Sequence, residues 1–174
     1  MKPKRFFIIG TIGSGKTTLA KKISKKYSIK SYPLDEIYWT TKYTRKRSKK
    51  SRDKIVSNLV KKDAWVIEGV FSSWVGGIAR KSDLVVWLDM HPKVLTRNIL
   101  KRFLKIKFTR KEKERGSFSD IWKTVVHAKK YRTGTHKNSY IGHLKMIKES
   151  KPNYIRIENK KQLKEFEKNL IKPN

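Results

Sequence analysis

Arg5-Phe6-Phe7-Ile8-Ile9-Gly10-Thr11-Ile12-Gly13-Ser14-Gly15-Lys16-Thr17-Thr18-Leu19-Ala20 is the stretch that decides how the chain folds. Its first part is an unbroken apolar run that stops at Gly10, the pattern of a short strand buried on both faces. After Gly15, Leu19, Ala20 and Ile23 recur at helical spacing with lysines on the other side, so residues 16–26 read as an amphipathic helix. The residues from Gly10 to Thr17 fit G-x-x-x-x-G-K-[ST], placed after a strand and opening a helix, which is the setting in which that spacing has a mechanism. The glycines let consecutive amides turn inward around an anion, and the helix N-terminus adds positive potential. An ordinary glycine-rich turn has no reason to carry Lys-Thr at this offset. Gly10, Gly13, Ser14, Gly15, Lys16, Thr17 and Thr18 are therefore the candidate residues for holding the phosphates of ATP or GTP, with Lys16 reaching the terminal phosphates and Thr17 able to ligate Mg²⁺.

Working outward, a short strand is expected around residues 32–34, then a basic stretch at 42–52 and a helix over 54–61 carrying Ile55, Val56, Leu59 and Val60. Trp65-Val66-Ile67 forms a further buried strand ending at Glu68-Gly69, and residues 84–88 another ending at Asp89. Pro92 suits the first turn of the next helix, whose inward face is Leu95, Ile99, Phe103 and Ile106 and which should run to about residue 105. Residues 109–116 are charged and aperiodic and read as a loop. Helices near 118–131 and 139–148, a strand at 154–157 and a closing helix at 162–170 complete the chain. Apolar strands alternating with helices predict an α/β fold, with a parallel, mostly five-stranded sheet covered on both faces and ligands at the carboxyl ends of its strands.

The length of 174 residues suits a single domain over 1–174. No apolar run approaches the ~20 residues needed to cross a bilayer, and a soluble, cytoplasmic protein is expected. The absence of cysteine excludes a disulfide framework, a thiolate metal site and a cysteine nucleophile, so a metal must be held mainly by oxygen. The formal net charge of +31 admits two readings, a nucleic-acid-binding face or a lysine-biased protein that handles small phosphate-rich substrates.

Mg²⁺ needs a second oxygen ligand near Thr17, and Glu68 and Asp89 both stand at strand ends. The strand next to the first is usually the third in a doubly wound sheet, which favours Glu68; Asp89, before His91-Pro92, reads as a cap for the helix that follows. His127, His136 and His143 show no metal-ligand spacing and are read as surface or helix residues.

Taken in order, the phosphate loop, Leu34-Asp35-Glu36-Ile37-Tyr38-Trp39, Trp65-Val66-Ile67-Glu68-Gly69, Ser82-Asp83-Leu84-Val85-Val86-Trp87-Leu88-Asp89 and the basic interval from Arg97 to Arg102 resemble the adenylate-kinase-like P-loop kinases. Within them the chain is similar to the branch often labelled DNA topology modulation protein. The resemblance covers residues 4–107 well and the remainder loosely. It implies a three-layer P-loop NTPase fold with a helical lid, and ATP and Mg²⁺ as cofactors. An acceptor-side segment over about 35–62 and a lid over about 97–116 are implied with it. Relatives carry Asp-Gly where this chain has Glu68-Gly69, so the longer carboxylate could meet the metal directly or through water. Asp35 takes the position of the carboxylate that contacts the acceptor, as a base toward a hydroxyl or an orienter toward a phosphate. Lys16, Arg97 and Arg102, with Arg110 and Arg115, are implied to cover the transferring phosphate, and Arg80 matches an acceptor-side arginine.

Tyr38, Trp39, Phe71 and Trp74 flank the two loops where an acceptor would lie, either stacking on it or packing in the core. The leading functional expectation is a kinase for a small acceptor such as a nucleoside or nucleotide. The alternative is a nucleic-acid-binding ATPase or regulator that uses the basic surface; no membrane partner is expected. Asn159-Lys160-Lys161-Gln162 has Gln where guanine-reading motifs carry Asp, and no D-x-x-G switch accompanies it.

Overall fold

The computed structural model describes residues 2–41, 44–109 and 118–171. Phe6, Phe7, Ile8 and Ile9 are fully buried because β1 (Arg5–Gly10) is the central strand of a five-stranded parallel sheet. Its order is β2 (Ser31–Pro33), β5 (Trp65–Gly69), β1, β6 (Leu84–Leu88) and β7 (Tyr154–Ile157). Side chains alternate across the pleat, so Phe6 and Ile8 enter one core layer while Phe7 and Ile9 enter the other. The first layer packs under α1 (Lys16–Tyr27), α5 (Pro92–Thr109), α6 (Phe118–Lys129) and α8 (Lys160–Ile171). The second packs under α2 (Leu34–Tyr38), α3 (Lys49–Val60), α4 (Gly76–Lys81) and α7 (Tyr140–Ser150). The result is a three-layer α/β fold.

The register aligns Ile8 with Glu68 and Gly10 with Leu88, so the phosphate-loop turn, Glu68 and Asp89 all lie at the carboxyl edge of the sheet. At the opposite edge Asp83 accepts hydrogen bonds from the Lys4 and Arg5 amides at 2.8 and 2.9 Å and pairs with the Arg5 guanidinium at 2.6 Å. No helix of the described residues is long and apolar enough to cross a membrane.

Several elements differ from expectation for local reasons. Helix α3 starts at Lys49, five residues before the expected 54, because Ser48 caps it by accepting the Ser51 amide. The basic stretch before it forms a small antiparallel pair, β3 (Trp39–Thr41) with β4 (Arg45–Lys46). The short helices α2 and α4 carry too few turns to show a period in sequence. Helix α5 reaches Thr109, four residues past the expected end, so the expected loop at 109–116 is a helix end at its first residue and lies outside the described residues from 110 on. Strand β7 is an edge strand paired only with β6, which leaves Tyr154 and Ile155 exposed rather than covered on both faces.

Candidate active site

The turn from β1 into α1 takes its shape from glycine. Gly10, Gly13 and Gly15 have φ of +150°, +78° and +100°, a region that L side chains rarely adopt. Close approach adds to this at Gly10, where a Cβ would stand 2.5 Å from the Leu88 carbonyl oxygen. The loop is braced by the Ser14 amide, which donates to the Thr11 carbonyl at 3.2 Å, and by Asn98 of α5, whose Nδ2 donates to the Gly13 carbonyl at 2.8 Å. Ser14 Oγ is buried without a hydrogen-bond partner among the described residues, which suits a loop that receives a polar ligand. Thr18 is exposed on the first turn of α1.

Lys16 and Thr17 open α1 at this edge. Lys16 is half-buried and its Nζ donates to the Thr11 carbonyl at 2.9 Å. Burial pulls its ammonium below the ordinary lysine value, Glu68 and then Asp35 pull it back up, and Arg102 lowers it further. Thr17 donates its hydroxyl to Glu68 Oε1 at 2.9 Å. This pair of oxygens on adjoining elements has the hard-donor chemistry that Mg²⁺ requires, so the residues present fit the ion.

Asp35 is brought to the same place by a close contact between α2 and β5. A Cβ on Gly69 would lie 2.7 Å from Leu34 Cβ, so only glycine lets the start of α2 settle against the end of β5. Leu34 is fully buried there, and Asp35 follows it in the first turn of α2, half-buried.

The two arginines that the resemblance assigned to a lid, Arg97 and Arg102, part company. Leu95, Asn98, Ile99 and Arg102 share one side of α5, and Leu95 and Ile99 approach the phosphate loop at Gly13. Arg102 acts on Lys16 from that side, whereas Arg97 is exposed on another side, lining a groove with Lys93, Leu100 and Lys129. Arg110 and Arg115 lie outside the described residues.

Arg80 is not brought to the group. It occupies the last turn of α4, where the chain descends toward the amino end of β6, and its Nη1 lies beside Gly76 on the side facing Ser150 of α7. Trp39 begins β3 and meets Tyr38 edge-on at 4.9 Å. Tyr38 stacks near Phe71 at 4.7 Å, Phe71 lies 5.1 Å from Trp74, and the Arg52 guanidinium sits 4.4 Å over the Trp74 ring. These rings pack on one another, and Tyr38, Phe71 and Trp74 join the second core layer.

Asp89 is not the helix cap. His91 has that part, its Nδ1 accepting the Lys93 amide at 3.2 Å and its carbonyl accepting the Val94 amide at 2.8 Å. The Asp89 carboxylate is fully buried and accepts from Arg132 at 3.0 Å and from Arg156 at 2.6 Å. Two guanidiniums on neighbouring elements outcompete a single amide for a buried charge. His143 is a helix residue, on α7, and a fully buried one. Its Nε2 faces the Val70 carbonyl at 2.9 Å, its Nδ1 the Tyr131 hydroxyl at 2.7 Å, and that hydroxyl accepts from Trp87 Nε1 at 2.9 Å. Asn159 and Gln162 cap the start of α8, the Gln162 amide donating to Asn159 Oδ1 at 2.9 Å and the Glu158 amide to Gln162 Oε1 at 2.8 Å, which accounts for that tetrapeptide without a guanine.

Asn98, the Leu34–Gly69 contact and the buried His143 chain escaped sequence reasoning. Asn98 alone left a signal, three residues after Leu95 and four before Arg102 on one helical face.

The parallel sheet, the strand order and the glycine-shaped turn define a P-loop kinase-like fold, and solved structures agree. The shikimate kinase of Bacteroides thetaiotaomicron superposes with a TM-score of 0.53 at 17% identity, covering 97% of each chain. The YorR protein of Bacillus subtilis, solved in complex with phosphorylated GDP, gives a TM-score of 0.54 at 15% identity over 95% of this chain and 93% of that one. The shikimate kinase of Acinetobacter baumannii, solved with shikimate, gives 0.51 at 16% identity over 96% and 94%. Among curated sequences, the uncharacterized protein YqaC of Bacillus subtilis (strain 168) is 31% identical over 86 residues, 49% of this chain and 48% of that protein. The match thus spans about half the length of that relative. No family model matches the chain.

Proposed function

We propose that the chain is an ATP- and Mg²⁺-dependent phosphotransferase acting on a small hydroxyl or phosphate acceptor, a nucleoside or nucleotide. The observation that carries this reading is the convergence of Lys16 with Glu68, Asp35 and Arg102 at one edge of the sheet, where each acts on the lysine's charge. Phosphoryl transfer asks for in-line positioning, cover for negative charge and a group that orients the nucleophile. The amides and glycines of residues 10–17 cradle the phosphates, and Lys16 moves from the Thr11 carbonyl to the terminal phosphate. Mg²⁺, held by Thr17 and Glu68, neutralises phosphate charge when bound. Asp35 accepts the proton of a hydroxyl acceptor or orients a phosphate one, and Arg102 covers the transferring group.

The folds of shikimate kinase and of YorR, whose structure holds phosphorylated GDP, support the reading as a class. The finer placement among adenylate-kinase-like kinases, in the branch often labelled DNA topology modulation protein, rests on the order of the motifs around Asp35 and Glu68-Gly69. Tyr38 and Trp39, three and four residues after Asp35, favour an acceptor bearing a base.

The test is incubation with Mg²⁺ and γ-labelled ATP against a panel of nucleosides, nucleoside monophosphates and small metabolites. Label should move to one acceptor, and Lys16→Ala should abolish the transfer. Asp35→Asn should remove transfer to a hydroxyl while sparing ATP binding. Label released only as inorganic phosphate from every mixture would remove the kinase assignment.

A further inference from the structure

The phosphotransferase reading leaves the outer face of the α5–α6 pair unused. Lys93, Arg97, Leu100 and Leu104 follow one another at intervals of four, three and four residues, a single stripe along α5. Trp122, Val126 and Lys129 form the matching stripe on α6. Lys129 lines the same groove as Pro92 and Lys93, so the end of α6 meets the start of α5, and Trp122 stands two turns, about 10 Å, from Lys129 along α6. The groove has a volume of about 380 Å³ and is lined by Pro92, Lys93, Thr96, Arg97, Leu100 and Lys129.

Two properties of this face point to its occupant. The first is apolar exposure: Leu100, Leu104 and Trp122 are 46%, 51% and 68% exposed, the tryptophan being the most open large apolar side chain among the described residues. The second is charge. Neither 90–109 nor 121–148 contains an Asp or Glu, and Lys93, Arg97 and Lys129 have no acidic partner among the described residues. Cations stand on both walls of a concave channel, so a narrow anionic chain laid along it meets charge from either side. A bilayer would need a convex apolar face instead. A tryptophan open at one end of a cationic channel offers the flat surface on which an unpaired base stacks.

We propose that the α5–α6 groove binds single-stranded nucleic acid without sequence preference, with Lys93, Arg97 and Lys129 on phosphates and Trp122 stacked on a base. The site is separate from the phosphate loop and does not depend on the phosphotransferase reading.

The test is fluorescence anisotropy of a fluorescein-labelled 20-nucleotide oligothymidylate titrated with the full chain at several salt concentrations, with and without excess ATP. Trp122→Ala should weaken binding about 5- to 150-fold, the range for loss of one stacked base. Lys129→Glu should lower the slope of log Kd against log salt by about 0.7 or more. Lys164→Glu, an equal charge change on α8, should leave both unchanged, and ATP should not compete. Trp122 is exposed, so its replacement leaves the core intact, which circular dichroism checks. Equal weakening by Lys129→Glu and Lys164→Glu with no effect of Trp122→Ala would reduce the binding to bulk charge and overturn the proposal. Displacement by ATP, or binding to phosphatidylserine vesicles with none to the oligonucleotide, would overturn it too.

Discussion

Lowering the pH should destabilise this protein through one imidazole, that of His143. Its surroundings accept one proton only. The Val70 carbonyl is purely an acceptor, so Nε2 must donate to it, and Nδ1 must then accept from the Tyr131 hydroxyl, whose oxygen already accepts from Trp87 Nε1. A second proton on Nδ1 would make the Tyr131 oxygen accept from His143 as well as from Trp87 and would cost the hydroxyl its own hydrogen bond to the ring. Burial accordingly pushes the His143 pKa from 6.5 down to about 4, partly offset by the Val70 carbonyl and deepened by Lys16. In the unfolded chain the imidazole regains its ordinary value and takes up a proton between about pH 6.5 and 4, while the folded chain does not. Stability is therefore fully present above pH 6.5 and falls as the pH drops toward 4. The shift corresponds to about 3 kcal/mol over that window. For a chain of this size that is a drop in Tm of roughly 6–12 °C. Urea denaturation at pH 7.5, 6.5, 5.5 and 4.5 should show the slope in the parent protein. In His143→Gln the overall stability should be lower but this component of the slope absent. Carboxylates titrating at the acid end contribute equally to both proteins, so the difference between them isolates the histidine. Parallel pH profiles, or a His143 resonance titrating near 6.5, would refute the reasoning.

Other perturbations test the remaining contacts. Gly69→Ala places a methyl 2.7 Å from Leu34, which should cost about 1–3 kcal/mol in urea denaturation and slow acceptor phosphorylation by displacing Asp35. Glu68→Gln keeps an oxygen for the Thr17 hydroxyl but loses the charge, so turnover should need about 10- to 100-fold more Mg²⁺ with folding little changed. Asp89→Asn should destabilise by about 1–3 kcal/mol, because a fully buried carboxylate gives up its charge-assisted bonds to Arg132 and Arg156; the arginines' partial exposure to solvent keeps the cost from being larger. No change in the urea midpoint would mean that this cluster is merely a surface pairing.

The glycines of the turn were legible because the backbone angles that need them are local, although Leu88, Ile99 and Asn98 press on the same turn from far along the chain. Glycines at 10, 13 and 15 are needed by backbone angles in their own turn, and Lys16 and Thr17 follow from the helix that starts there. Strand order favoured Glu68 over Asp89, yet β5 and β6 both flank β1, and it is the Thr17 hydroxyl that singles out Glu68. Asp89 was misread because its partners, Arg132 and Arg156, are 43 and 67 residues away. The burial of His143 within its helix went unread for the same reason, with Val70 lying 73 residues before it. Arg97 and Arg102, expected together in a lid, show the limit of a one-dimensional interval. Arg97 and Arg102 fall together in sequence, yet five residues of helix turn them about 140° apart, and only the second acts on Lys16.

Three features could be read without coordinates: the strand, glycine turn and helix at residues 5–27, the alternation that makes a parallel sheet, and the excess of cations. These follow from backbone sterics, hydrophobic period and composition, which neighbouring residues carry. The packing of the layers set the rest: that Glu68 meets Thr17, that Arg102 rather than Arg97 turns toward Lys16, and that Asp35 arrives because Leu34 fits against Gly69. Those are matters of distance between segments far apart in the chain, set by how the layers pack.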